Sequence, residues 1–123
     1  MDQAARDKIE AIRAMESSSA ADWLIENQQR NGCAYISKRT WKKEDQIKLA
    51  AHYLESIPHA SGRCYESLLT VMPVQRFVTV LRTYLPVGAK DIDLLCYCLY
   101  PALEKFSKTD KDKAIIAELK DSI

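Results

Sequence analysis

At 123 residues, with 47% hydrophobic and 28% charged side chains, the chain has the length and composition of one globular domain, residues 1–123, with a core of its own. Eighteen basic and seventeen acidic groups leave a net charge of +1, which argues against a dedicated nucleic-acid binder, whose affinity comes largely from neutralising phosphates. No apolar run nears the ~20 residues that span a bilayer, and the mixed charges of MDQAARDKIE are not those of a signal peptide.

Asp2 can cap a first helix predicted over residues 3–16, with Ala5, Ile9, Ile12 and Met15 on one face. The serines at 17–19 interrupt it, and one of them caps a second helix that carries Trp23, Leu24 and Ile25 to about Gln29. Asn31-Gly32 suits its end, since both residues tolerate positive φ. Residues 31–39 show no period and read as a loop, with Tyr35-Ile36 tucked onto the core. Thr40 is the expected cap of the next helix, where Glu44 and Asp45 complement the dipole and Ile47, Ala50, Ala51, Leu54 and Ile57 form an apolar stripe ended by Pro58.

Ser61 then caps a helix with Cys64, Tyr65, Leu68, Leu69 and Met72 inward. Pro73 opens another, with Val74, Phe77, Val78, Leu81, Tyr84 and Leu85. A helix from Asp91 to Phe106 contains Pro101, which should kink or split it, because proline lacks an amide donor and crowds the preceding turn. A last helix from Asp110 carries Ala114, Ile115 and Leu119. Short connections favour antiparallel neighbours. The predicted fold is therefore all-α: six or seven short antiparallel helices, in a compact bundle or a short HEAT-like stack of helical hairpins. The second form is suggested by a repeat, since Pro58 to Pro86 and Pro73 to Pro101 are each 28 residues apart.

No pattern calls for catalysis, a cofactor or a metal. Cys96 and Cys98 on one helix point their thiols apart, and His52 and His59 lack zinc-ligand spacing. All four cysteines, Cys33, Cys64, Cys96 and Cys98, read as free thiols in a reducing cytoplasm. The His59–Cys64 loop brings an imidazole, a hydroxyl and a thiol together, but the same residues make an ordinary turn and cap. Asp91 and Asp93 suit a helix first turn better than acid–base work. The chain is therefore expected not to be an enzyme.

One segment is unbalanced. Between Arg30 and Lys48 stand Arg30, Lys38, Arg39, Lys42, Lys43 and Lys48 against Glu44 and Asp45, a local net of +4, with Trp41 among them. An aromatic ringed by cations suits an acidic protein partner, with Trp41 as anchor and Arg39, Lys42 and Lys43 as steering charges. The alternative is a nucleic-acid-associated regulator using the same 30–48 segment. A third reading is a helical adaptor or oligomer subunit.

The run LLTVMPVQRFVTVLRTYLP followed by DIDLLCYCLYPALEKF resembles the helical-hairpin style of small bacterial toxin-immunity proteins, over roughly residues 47–106. The likeness is one of texture and carries over no individual residue. It implies a cytoplasmic protein that neutralises a cognate toxin, a nuclease or another intracellular poison, by occlusion.

Overall fold

The computed structural model describes residues 3–27, 33–55, 57–59 and 61–122; the expected cap Asp2 and the Asn31-Gly32 helix end lie outside them. Eight helices run in order among the described residues: α1 Gln3–Ala14, α2 Ser17–Asn27, α3 Cys33–Ile36, α4 Lys43–Leu54, α5 Arg63–Val71, α6 Val74–Arg82, α7 Ala89–Phe106 and α8 Asp110–Ser122. Among the described residues there is no strand, and no helix is long and apolar enough to cross a membrane. The all-α expectation holds, with eight helices among the described residues where six or seven were expected. The addition is α3, a single turn inside the expected loop, held because Ile36 is fully buried.

Alternate helices pack on one another. α2 lies on α4, α4 on α6 and α6 on α8, while α3 lies on α5 and α5 on α7. Two rows result, and the interior between them is filled by the faces that the apolar spacing marks: Leu68 and Leu69 from α5, Phe77 and Leu81 from α6, Leu95, Leu99 and Leu103 from α7. Within the second row, α5 begins close against the backbone of α7. A Cβ at Gly62 would lie 3.1 Å from the Cys98 carbonyl oxygen, so that position suits the residue without a side chain.

Several details depart from the sequence reading. α4 starts at Lys43, with Lys42 rather than Thr40 at its N-cap, because Trp41 turns into the core and its indole N–H donates to the Ile36 carbonyl at 2.8 Å. The buried face of α4 is Asp45, Leu49, Ala50, Tyr53 and Leu54, while Ile47 faces out, 39% exposed. α7 is one continuous helix despite Pro101. Pro101 and Tyr97, whose carbonyl loses its usual partner, both lie on the exposed side, where water can satisfy that oxygen. At α8, Thr109 Oγ1 accepts from the Asp112 N–H at 3.1 Å and caps the first turn.

The expectation of four free thiols is corrected. Cys33 and Cys64 form a disulfide, their Cα atoms 5.3 Å apart, which fastens α3 to α5; Cys96 and Cys98 are free. The two cysteines are 31 residues apart in sequence and meet only because α3 packs on the start of α5.

Candidate functional site

The four residues expected to contact a partner separate into two places. Arg39, Trp41 and Lys42 line a recess of about 360 Å³ with Glu16, Ser17 and Thr40. Trp41 is only 6% exposed, so its ring has little surface left to give a partner. Arg39 is engaged within the fold. Its Nη1 donates to the carbonyls of Ile12 and Met15 at 2.7 and 2.8 Å, and its Nε donates to that of Thr40 at 2.7 Å. Its guanidinium carbon lies 4.7 Å from the centre of the Trp41 ring. The carbonyls at the end of α1 lack helical partners, and a cation there satisfies both their hydrogen bonding and the negative end of the dipole. The Lys42 N–H donates to Ser17 Oγ, which ties the start of α4 to the start of α2.

The rest of the basic segment is also partly occupied. Lys48 pairs with Asp22, and that hydrogen bond raises its pKa. Arg30 lies outside the described residues. The His59–Cys64 loop is similarly committed: His59 Nε2 contacts the Tyr53 carbonyl at 2.6 Å, its backbone N–H donates to the Tyr65 hydroxyl at 3.0 Å, and Cys64 is in the disulfide. Among the described residues no group of three or more His, Cys, Asp or Glu side chains could hold a metal ion.

Lys43 faces elsewhere. It lines a groove of about 600 Å³ between α4 and α6, with Ile47, Ala51, Pro73, Gln75, Arg76, Thr79, Val80, Thr83 and Tyr84. The floor is apolar, from Ile47, Ala51, Pro73 and Val80. Two of its ten lining residues, Lys43 and Arg76, are cationic and none is acidic. The small side chains Ala51, Thr79 and Thr83 keep it open. Thr79 turns its hydroxyl back to the Gln75 carbonyl at 2.8 Å, which leaves its methyl for the groove.

Arg76 is held in place. It donates to Gln46 Oε1, and Gln46 Nε2 donates in turn to the Trp41 carbonyl at 2.8 Å. The residue expected to anchor a partner thus helps, through Gln46, to orient a cation at the groove. Neither Lys43 nor Arg76 takes part in the three ion pairs found among the described residues, which use Lys48, Lys105 and Lys120.

Exposed large hydrophobic residues among those described are three: Ile47 in this groove, and Leu94 and Tyr97 on α7, the last 81% exposed. Sequence reasoning placed Ile47 in the core and did not single out Arg76, Val80 or Thr83. The available signal was the second stripe on α4, Lys43–Ile47–Ala51, with the i, i+4 threonines Thr79 of α6 and Thr83 at its C-cap.

Comparison with protein-family models, with curated proteins and with solved structures finds no match for this chain.

Proposed function

We propose that the protein is a protein-binding module rather than an enzyme, and that its working surface is the α4–α6 face. The observation that supports this most is the groove itself: apolar-floored, with an exposed isoleucine and two cations that no carboxylate of the lining opposes. Interface cores combine a desolvated apolar centre with a polar rim in this way. The succession of α5, α6, α7 and α8 is in this reading a short HEAT-like stack of helical hairpins, with α5 beside α7 and α6 beside α8. Stacks of this kind use the row of successive helices as a binding surface.

The resemblance to toxin-immunity proteins makes the partner a cognate toxin and the action occlusion in the cytoplasm. In a reducing cytosol Cys33 and Cys64 would be recovered as thiols, and in an oxidising compartment as the disulfide, so the thiol state of protein extracted under acid quench tests that placement. The functional test is co-expression with the product of the adjacent gene. The reading expects growth to be rescued and a stoichiometric complex to elute as one species. Neither rescue nor complex would contradict it. Tight binding of random-sequence RNA that falls steeply with salt would favour the nucleic-acid regulator instead.

A further inference from the structure

We propose that the α4–α6 groove takes one amphipathic helix of the partner protein, laid along α4 and α6 with its apolar stripe on Ile47, Ala51 and Val80 and a carboxylate between Lys43 and Arg76. The inference rests on the protein-binding reading above and names the chemistry of what is bound.

Shape supplies the first argument. Two neighbouring helices leave between them the channel into which a third packs, ridge into groove. α4 has 12 residues and α6 has 9, lengths of roughly 18 and 13 Å at helical rise. A helical segment of about 10–12 residues matches that span. The lining suits a close approach: Ala51, Thr79 and Thr83 are small, with Thr79 on α6 and Thr83 one turn further on, at its C-cap. An extended strand would find no sheet edge here, since the lining comes from helices and the turn at Pro73 between α5 and α6.

Charge supplies the second. Lys43 is exposed at the first turn of α4, and Arg76 reaches the groove from the first turn of α6, fixed by the neutral acceptor Gln46. The nearest acids in sequence do not offset them at the groove: Glu44 is not part of its lining, and Asp45 is turned inward, 5% exposed. An arginine already oriented by a hydrogen bond loses less freedom when it meets a carboxylate, and its planar fork can accept one in bidentate fashion. A basic or neutral helix would leave both cations partly desolvated without a partner, which disfavours it.

The experiment uses the whole protein and synthetic helical peptides of about 14 residues carrying apolar side chains at i, i+3, i+4 and i+7. One peptide flanks that stripe with glutamates, a second replaces them with lysines, and a third keeps the glutamates but replaces the stripe with serines. Binding is read by fluorescence anisotropy and located by amide chemical shifts. The proposal expects the acidic amphipathic peptide to bind at least about tenfold tighter than either control, with shifts clustered at Lys43–Ala51 and Arg76–Tyr84. Ile47→Asp should weaken it by about tenfold or more, and Lys43→Glu with Arg76→Glu should invert the charge preference. Lys43→Glu alone, at an exposed position, should reduce the preference without touching the fold.

Equal affinity for the acidic and basic peptides, no binding of any of them, or shifts confined to the Leu94–Tyr97 side of α7 would overturn the proposal. So would concentration-dependent self-association that Ile47→Asp abolishes, because the occupant would then be a second copy. If the chain neutralises its toxin equally well with and without Ile47→Asp, the protein-binding reading stands and the groove proposal falls.

Discussion

Replacing Arg39 by alanine distinguishes a residue that holds the fold from one that merely steers a partner. Its guanidinium makes three hydrogen bonds to backbone carbonyls, two of them at the end of α1, and lies over the Trp41 ring. Hydrogen bonds from a charged donor contribute about 1.5–3 kcal/mol each when buried. Arg39 is only half-buried and water can replace part of what is lost, so the two bonds to α1 are taken at about 1 kcal/mol each. The contact with the indole adds about 0.5–1 kcal/mol. The bond to Thr40 joins neighbouring residues and is available to the unfolded chain, so it adds little. Arg39→Ala is therefore expected to cost about 2–3 kcal/mol, which in a domain of this size lowers Tm by roughly 6–15 °C. Arg39→Lys should keep part of the stability, because one ammonium can reach the Ile12 and Met15 carbonyls as Nη1 does but cannot also donate to Thr40 and lay a planar group over the Trp41 ring. Urea denaturation of the two variants and of Lys42→Ala supplies the measurement. A loss under about 0.5 kcal/mol for Arg39→Ala, or an equal loss for Lys42→Ala, would refute the clamp at the end of α1.

Three further outcomes follow from the same structure. Leu54, Leu68, Leu81 and Leu95 are fully buried, and truncating any one to alanine should cost about 2–5 kcal/mol; two unaffected variants would show the helix faces to be wrong. Purified protein oxidised in air and then denatured without reductant should titrate with two thiols, and reduction should lower stability by about 3–4 kcal/mol, the chain-entropy value for cysteines 31 residues apart; four thiols after oxidation would remove the Cys33–Cys64 bond from the account. Burial pushes the Tyr53 phenol up to about 12, above its ordinary 10, so the fold favours the neutral form. The stability this contributes is present below about pH 10 and lost as pH rises towards 12, roughly 3 kcal/mol in all, and Tyr53→Phe should flatten that alkaline decline; an unchanged profile would contradict it.

The course of the helices was readable because long apolar stripes and proline-marked ends leave few alternatives. α5, α6 and most of α7 carry the expected inward residues, from Leu68 through Phe77 to Leu99. α4 was harder. Two stripes overlap on it, Ile47–Ala51 and Leu49–Tyr53, and share Ala50 and Leu54, so helical period alone does not choose between them. The choice is made by tertiary packing: α2, α5 and α6 all lie against α4, Leu49 and Tyr53 are buried, and Ile47 is left to the groove. The disulfide was unreadable for a related reason: four cysteines permit several pairings, and the meeting of Cys33 with Cys64 depends on where α3 settles.

The expected contact residues were drawn from one continuous basic segment, whereas the groove is assembled from two helices about 30 residues apart. Lys43 belongs to both. Trp41 drew attention because an aromatic among cations is a common anchor, yet a tryptophan whose N–H finds a backbone carbonyl is equally suited to a core, and that is where it lies. Arg39 likewise carries a charge whose use is internal. Charge patterning gives the number of cations in a segment but not which of them helix ends and neighbouring acids have already engaged.

The most direct test of the central claim is hydrogen exchange on the protein bound to the partner proposed for it, a cognate toxin, compared with the free protein. The account predicts new protection over residues 43–51 and 75–84, the two walls of the α4–α6 groove, with α7 around Tyr97 unchanged. Protection confined to α7, or to the Arg39–Lys42 recess, with the groove exchanging as freely as before, would contradict it.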